Sequence, residues 1–271
     1  MDFVLYGTDA RLSFLARQLI AASHRVLSWN SVEMPRVQKI ESPLVLCDAV
    51  RLILPFRVSE DVVKTALGTL PLGSHVYGGK APKSDDLQAL LARRALTWHD
   101  LTEDDDYCRE NAVPTAEGAL AKLISSTPKC LSSLSVCIFG AGRVAEALID
   151  LLARLGCSIT VCARREKVLA AVRRAGHEAL ALPLDESALE RLASMDALIN
   201  TVPAKDIVSR TVLSRLKKDA PVLELASGEE NCDKDAAAEY AHPLFSLPAL
   251  PGKVAPHCAA RALFHAITQK G

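Results

Sequence analysis

The sequence predicts an α/β protein in which two open parallel sheets follow one another along the chain. Three observations support this prediction. Short apolar runs alternate with amphipathic stretches over nearly all of the 271 residues. The alternation breaks at STPKCLSS (residues 126–133) and then restarts. A chain of this length also suffices to form two domains with cores of their own.

In the first half, apolar runs predict strands and the stretches between them predict helices. We expect helices over residues 9–22 and 84–94. The strand segments, in order, are FVLYG, RVLSW, PLVLC, RLILPF, SHVYGG and LTWHDL. We assign residues 1–112 to an N-terminal α/β domain with a substrate-binding or assembly role.

A helix and a linker are predicted to join the two halves. PTAEGALAKLISS is typical of a helix, with Pro114 in its first turn and Glu117 near its positive end. STPKCLSS follows as a linker, so the connection spans residues 113–133. The second domain covers residues 134–252, with strand segments SVCIF, SITVCA, EALALPL, DALINTV, PVLELA and LFSLPAL. Residues 253–271 contain a final helix, APHCAARALFHAI.

Charge and cysteine usage exclude several classes of protein. There are 32 basic and 32 acidic side chains, so no net charge favours nucleic acid or a membrane surface. No apolar run approaches the ~18 residues of a membrane span. The start of the chain does not resemble a signal peptide, so we expect a cytoplasmic protein. The eight cysteines include no C-x-x-C pair, and we expect reduced thiols and no metal site.

The segment GAGRVA (Gly140–Ala145) fits the dinucleotide-binding pattern G-x-G-x-x-G/A between a strand and a helix. Gly140 would form the tight turn, and Gly142 would let the backbone approach a pyrophosphate. We therefore interpret the halves as Rossmann-like domains. The alternative is a glycine turn without a ligand. The N–H groups expected to hold the phosphates include those of Gly142, Arg143 and Val144.

Two arginines occupy the place where such segments usually carry an acid. About 20 residues after the glycine turn, a carboxylate normally binds the ribose 2′-hydroxyl. Here the second strand ends at Arg164 and Arg165. Arginine forms bidentate, charge-assisted hydrogen bonds to phosphate, so the pair predicts NADP(H), with NAD as the alternative cofactor. The other interpretation is that both arginines face solvent at the start of the next helix.

A polar turn ends the fourth strand of the second domain. Asn200, Thr201 and Pro203 follow the apolar run DALI. Ligands of open α/β sheets lie beyond the carboxyl ends of the strands, so we expect this turn to line the nicotinamide side of the cofactor. A plain turn stopped by proline is the alternative.

Several blocks taken together resemble the A-subunit family of dipicolinate synthases. They span nearly the whole chain: Gly7–Arg11, NAVPTAEGA (111–119), FGAGRVA (139–145), INTVPA (199–204) and LPGKVAP (250–256). The resemblance implies two α/β domains, with the last helix returning to the first. It also implies an NAD(P)-dependent oxidoreductase that oxidises a dihydro- or hydroxytetrahydro-dipicolinate to the spore compound dipicolinate. The B subunit of dipicolinate synthase is the implied partner, and we expect a homo-oligomer.

A pyridine dicarboxylate requires cations and its oxidation requires a base. Arg11, Arg57 and Lys253 are the candidate cations, because they follow strands or lie in the PGK turn. Glu117 and His257 are the candidate bases. Glu117 could instead stabilise the N-terminus of its own helix, and His257 could face solvent.

Two other functions remain open. Ala255-Pro256-His257 resembles the Pro-His pair before the last helix of 2-hydroxyacid dehydrogenases. A non-catalytic NADP-binding protein, with a role in sensing or assembly, is the second possibility. The loop at residues 227–231 and the His257-Cys258 pair depart from the dipicolinate synthase pattern and favour that possibility.

Overall fold

The computed structural model describes residues 2–31, 33–228 and 230–269, and the chain divides into two compact units. Unit 1 comprises Met1–Asn111 and Ala255–Gly271, and unit 2 comprises Ala112–Val254. Each contains a six-stranded sheet in which all strand pairs are parallel. The predicted class, two Rossmann-like parallel-sheet domains in tandem, is confirmed.

The described residues form the following strands and helices. The strands are β1 (Asp2–Tyr6), β2 (Val26–Trp29), β3 (Gln38–Ile40), β4 (Val50–Ile53), β5 (His75–Gly78), β6 (Thr97–Asp100), β7 (Ser135–Phe139), β8 (Ser158–Ala163), β9 (Glu178–Ala181), β10 (Ala197–Asn200), β11 (Val222–Glu224) and β12 (Leu244–Ser246). The helices are α1 (Arg11–Ala21), α2 (Glu60–Thr69), α3 (Asp85–Arg93), α4 (Asp105–Ser126), α5 (Arg143–Arg154), α6 (Glu166–Arg174), α7 (Glu186–Arg191), α8 (Arg210–Arg215), α9 (Lys234–Glu239), α10 (Leu250–Val254) and α11 (Pro256–Thr268).

The sheet of unit 1 has the order β3-β2-β1-β4-β5-β6 and is covered on both faces. One core contains Leu15 of α1 and Leu263 of α11 together with Phe3 of β1. The other contains Leu67 of α2 and Leu87 of α3. The final helix therefore packs back on the first domain, as the resemblance implied.

The sheet of unit 2 has the order β12-β11-β10-β7-β8-β9. Apolar side chains of α4 and α5, including Leu123 and Leu148, cover one face. Side chains of α7, α8 and α9, including Leu189 and Leu213, cover the other. Strands β7 and β10 are neighbours but not consecutive, so the direction of winding reverses between them. Ligands of doubly wound sheets bind at this switch point.

Two local predictions are wrong, and one strand was not predicted. PLVLC forms a 3₁₀ turn at Pro43–Val45 with Leu44 and Val45 exposed, and the strand before it, β3, was not predicted. β3 is a short edge strand with two exposed residues, so it lacks an apolar pattern. The linking helix begins at Asp105, and Pro114 lies inside it. Asp104 sets this start, because its Oδ1 accepts a hydrogen bond from the Tyr107 N–H at 3.1 Å.

In the described part of the chain, no helix is long and apolar enough to cross a bilayer. None of the cysteines in the described part of the chain forms a disulfide. Within residues 2–31, 33–228 and 230–269, no three His, Cys, Asp or Glu side chains group in a way that would hold a metal ion.

A buried carboxylate fixes the amino-terminal ends of two central strands of unit 2. Asp196, whose side chain is 8% exposed, accepts hydrogen bonds from Lys129 at 2.8 and 2.9 Å and from Lys217 at 2.7 Å. The Ser135 N–H donates a further bond at 3.1 Å. Burial alone would raise the pKa of Asp196, but the hydrogen bonds from Lys129 and Lys217 outweigh it and lower the pKa to about 2.

We expect Asp196→Asn to destabilise the protein by about 1–2 kcal/mol at pH 7, a value reduced because both lysines are half exposed. The folded pKa lies below the unfolded value of about 3.9, so the stabilisation is complete above about pH 4 and is lost as the pH falls toward 2. Urea unfolding of the unaltered protein and of Asp196→Asn at pH 7 and pH 3 measures the difference in their free energies of unfolding. Asp150→Asn, in an exposed pair with Arg154, is the control. An equal loss of stability in Asp196→Asn at both pH values would contradict the stabilising role assigned to the Asp196 charge.

Candidate functional site

A cavity of about 430 Å³ lies at the carboxyl ends of the central strands of unit 2. It is lined by residues at or after the ends of β7, β8, β9 and β10, so it occupies the switch point of the sheet. The lining residues are Gly140, Ala141, Gly142, Cys162, Ala163, Arg164, Arg165, Val168, Leu182, Val202, Ala204 and Ile207.

The two positions of the turn favour glycine for different structural reasons. Gly140 has φ +111°, in the region that L side chains rarely adopt, and a Cβ there would overlap the Thr201 hydroxyl. Gly142 has an extended backbone, and a Cβ there would meet nothing within 4 Å. Gly142 also precedes α5, whose first N–H groups have no partner in the helix. Open space beside a helix N-terminus fits the pyrophosphate of a dinucleotide.

Arg164 and Arg165 line this cavity directly after β8, and both are exposed. Within the described residues, neither guanidinium has a hydrogen bond or an ion pair. The nearest acid in sequence, Glu166, accepts a hydrogen bond from Arg173 at 2.7 Å. The end of β8 therefore presents two unpaired cations to the cavity, and its first carboxylate is engaged elsewhere.

The polar turn after β10 is held by hydrogen bonds within unit 2. The Asn200 side chain is fully buried; its amide donates to the Glu224 carboxylate at 2.9 and 3.1 Å and to the Val202 carbonyl at 3.1 Å. The Thr201 hydroxyl donates to the Phe139 carbonyl at 2.8 Å. These contacts position Val202, which lines the cavity, and leave Pro203 exposed.

Glu224, which holds Asn200 in place, was not among the residues predicted from the sequence. It ends β11 and is 8% exposed. Burial raises its pKa, although hydrogen bonds from Asn200, the Ala226 N–H and Asn231 oppose the rise. An acid inside the apolar run PVLELA was the available signal. In the adjoining loop, Glu229 lies outside the described residues.

The apolar walls of the cavity were not predicted from the sequence either. Val168, Leu182 and Ile207 lie on its lining, at or after three different strand ends. Their sequence context resembles that of ordinary core residues, so the sequence gives no signal for them. Apolar walls with a few polar groups are typical of small-molecule sites.

Two of the candidate substrate cations belong to unit 1. Arg11 is 13% exposed and forms hydrogen bonds to Asp9 at 2.6, 3.0 and 3.0 Å, with its guanidinium 5.5 Å from the Phe56 ring centroid. Burial opposes the charge of Asp9, but Arg11 outweighs it and lowers the pKa of that carboxyl. Arg57 is exposed. Asp9 therefore compensates the charge of Arg11.

The remaining candidates lie on helices. Glu117 is exposed and well inside α4, so the alternative interpretation, that it stabilises the N-terminus of its own helix, does not hold. Lys253 lies on the short helix α10 rather than in a turn. His257 is exposed near the start of α11, edge-on to Phe14 with ring centroids 5.7 Å apart. Glu117 and Lys253 belong to unit 2, and His257 belongs to unit 1.

Known proteins resemble the chain in sequence and in fold. No protein-family model matches it. The A subunit of dipicolinate synthase from Bacillus subtilis (strain 168) is 28% identical over 242 residues, which cover 84% of this chain and 79% of that protein. The crystal structure of the A subunit of dipicolinate synthase from Bacillus halodurans superposes with a TM-score of 0.84 at 25% identity, covering 99% of this chain and 96% of that one.

The fold also occurs in dehydrogenases. An L-alanine dehydrogenase structure has a TM-score of 0.64 at 13% identity, and the match covers 98% of this chain and 87% of that one. At this identity the likeness concerns the fold alone. The resemblance seen in the sequence blocks is confirmed: over nearly all of its length, this chain is similar to the A subunit of dipicolinate synthase.

Proposed function

We propose that the protein is an NADP-dependent oxidoreductase similar to the A subunit of dipicolinate synthase. Its substrate would be a dihydro- or hydroxytetrahydro-dipicolinate and its product dipicolinate. The dihydro form would lose a hydride and a proton, and the hydroxytetrahydro form would in addition lose one water molecule. One observation carries the proposal: the open glycine turn at Gly142 and the unpaired Arg164 and Arg165 line the same cavity at the switch point of the sheet. The 28% identity to the Bacillus subtilis protein supports the choice of substrate.

The residues of unit 2 divide the binding of NADP between them. The backbone at Gly140, Gly142, Arg143 and Val144 would hold the pyrophosphate at the start of α5. Arg164 and Arg165 would hold the 2′-phosphate through charge-assisted hydrogen bonds. The rigid turn of Asn200, Thr201 and Pro203 would border the nicotinamide side, with Asn200 acting through the backbone that it fixes.

The oxidation also needs groups that hold the substrate and take up a proton. NADP, when bound, supplies the hydride acceptor. The substrate carboxylates would be bound by Arg11, Arg57 and Lys253. In the structure, the Asp9 carboxylate accepts hydrogen bonds from Nε and Nη2 of Arg11. The proton released with the hydride would pass to Glu117 or His257.

The proposal also covers the partner, the oligomeric state and the cellular location of the enzyme. A partnership with the B subunit of dipicolinate synthase follows from the name of the similar protein, which is one component of a multi-subunit synthase. We also propose that the protein forms homo-oligomers and works in the cytoplasm.

A turnover assay tests the proposed function. Purified protein, with and without the B subunit, is incubated with NADP⁺ and the product of dihydrodipicolinate synthase. We expect equal amounts of NADPH and dipicolinate, and much slower turnover for Glu117→Gln or His257→Asn, whichever removes the base. Oxidation of 2-hydroxyacids instead would favour the 2-hydroxyacid dehydrogenase alternative. Cofactor binding without turnover of either substrate would favour a non-catalytic sensor.

A further inference from the structure

A second cavity lies in unit 1, where β4 and β5 end. We call it the β4–β5 cavity; its volume is about 360 Å³. The segments that follow the two strands contribute Phe56 and Lys80, and Val63 of α2 and Leu87 of α3 lie behind them. Carboxyl ends of adjacent parallel strands are the usual place for ligands in open α/β sheets.

The walls of the β4–β5 cavity are held by specific contacts. The Trp98 indole N–H donates to the Gly79 carbonyl at 3.0 Å. A Cβ at Gly78 would lie 3.3 Å from the indole ring, so the ring packs directly on this backbone. A Cβ at Gly79 would lie 2.5 Å from the Phe56 carbonyl oxygen, which shows how closely the two strand ends approach. The aromatic wall is therefore preformed.

The rim of the cavity carries an excess of positive charge. Lys80 and Lys83 line it, and both are exposed. Neither ammonium group has an ion pair within the described residues. Glu60 is the carboxylate on the described lining, and it lies in the first turn of α2, whose helix dipole partly compensates its charge.

We propose that the β4–β5 cavity binds a planar aromatic carboxylate. The Trp98 indole and apolar side chains would contact the ring, and Lys80 and Lys83 would hold the carboxylate oxygens. The volume lies near the lower end of the ~300–1,000 Å³ typical of small-molecule sites, which suits a ligand with one ring.

This inference rests on the proposed function for its choice of ligand, and it adds binding groups that the sequence did not indicate. Phe56 connects the cavity to the candidate cations of unit 1. Arg57 follows Phe56 in the chain, and the Arg11 guanidinium lies over the Phe56 ring. The carboxyl ends of β4 and β5 therefore bring Arg57, Lys80 and Lys83 to the same end of the sheet as Arg11, whose charge Asp9 compensates.

Isothermal titration calorimetry of the full chain with pyridine-2,6-dicarboxylate tests the proposal, with and without saturating NADP⁺. We expect binding in at least one of the two conditions. Lys80→Gln combined with Lys83→Gln should weaken it roughly 100-fold, or about tenfold for each exposed ammonium group. Lys64→Gln is the matched control, because Lys64 is an exposed lysine of α2 that does not line the cavity.

Competition with inorganic phosphate separates recognition of the ring from attraction to charge. We expect phosphate to displace the dicarboxylate only at concentrations far above that of the ligand. The proposal is overturned by the absence of binding in both conditions, by equal affinity in the double variant and in Lys64→Gln, or by competition from phosphate at equal concentration. NADPH titration of the same samples keeps the two proposals apart. If the unaltered protein binds the dicarboxylate but not NADPH, the proposed function is rejected and the ligand assigned to the β4–β5 cavity is retained.

Discussion

Replacing Arg164 and Arg165 with alanine is expected to weaken NADPH binding about 100-fold and to leave NADH binding nearly unchanged. Both arginines line the cavity of unit 2, and their guanidinium groups have no partner within the described residues. A charge-assisted hydrogen bond contributes about 1.5–3 kcal/mol, and exposure reduces this to about 1.4 kcal/mol for each arginine. NADH has no 2′-phosphate, so it loses none of this binding energy.

Nicotinamide fluorescence titrations at several salt concentrations measure this effect. The preference for NADPH should decrease as salt is raised, because exposed charges are screened. Arg154→Ala combined with Arg174→Ala is the matched control, since both arginines are exposed, lie on α5 and α6 and do not line the cavity. Equal losses of NADH and NADPH affinity in the Arg164/Arg165 variant would mean that these residues do not bind the 2′-phosphate.

Gly142→Val should weaken the binding of both cofactors about 100-fold, a loss of about 2.7 kcal/mol, while the free energy of unfolding changes by less than about 1 kcal/mol. The side chain enters open space, because a Cβ at this position meets no atom within 4 Å. The backbone there is extended, which valine tolerates. The added side chain therefore blocks the approach of the pyrophosphate that both cofactors share.

Gly140→Ala is the informative comparison for Gly142→Val. Its φ of +111° and the overlap with the Thr201 hydroxyl should destabilise unit 2 by about 1–3 kcal/mol. Thermal unfolding and cofactor titration of the two variants separate a binding defect from a folding defect. A large loss of stability in Gly142→Val, or unchanged affinity for NADH and NADPH, would reject the assigned role of the glycine turn.

The apolar periodicity predicted both sheets, because buried parallel strands are continuous apolar runs. It failed where burial does not follow from residue type. PLVLC is apolar, yet Leu44 is 69% and Val45 66% exposed in a 3₁₀ turn. The start of α4 depends on a hydrogen bond from the Tyr107 N–H to Asp104, whereas Pro114 suggested a later start.

The glycine turn and the two arginines could be found from sequence because local spacing fixes their places. The role of Asn200 could not, because its partner Glu224 is brought opposite to it only by the pairing of β10 with β11. The β4–β5 cavity depends in the same way on separate segments: Phe56, Lys80 and Trp98 meet only after β4, β5 and β6 have aligned.

The packing of α11 against α1 also sets the order in which the chain can fold during synthesis. Unit 2 is one continuous segment that precedes α11 in the chain, so all of its strands are synthesised, and leave the ribosome, before α11 does. The core of unit 1 lacks Ala260, Leu263 and Ile267 until that moment, and Phe3 and Leu15 have no cover from the last helix. The half that is translated first is therefore completed last, and its nascent form exposes apolar surface that a chaperone would recognise.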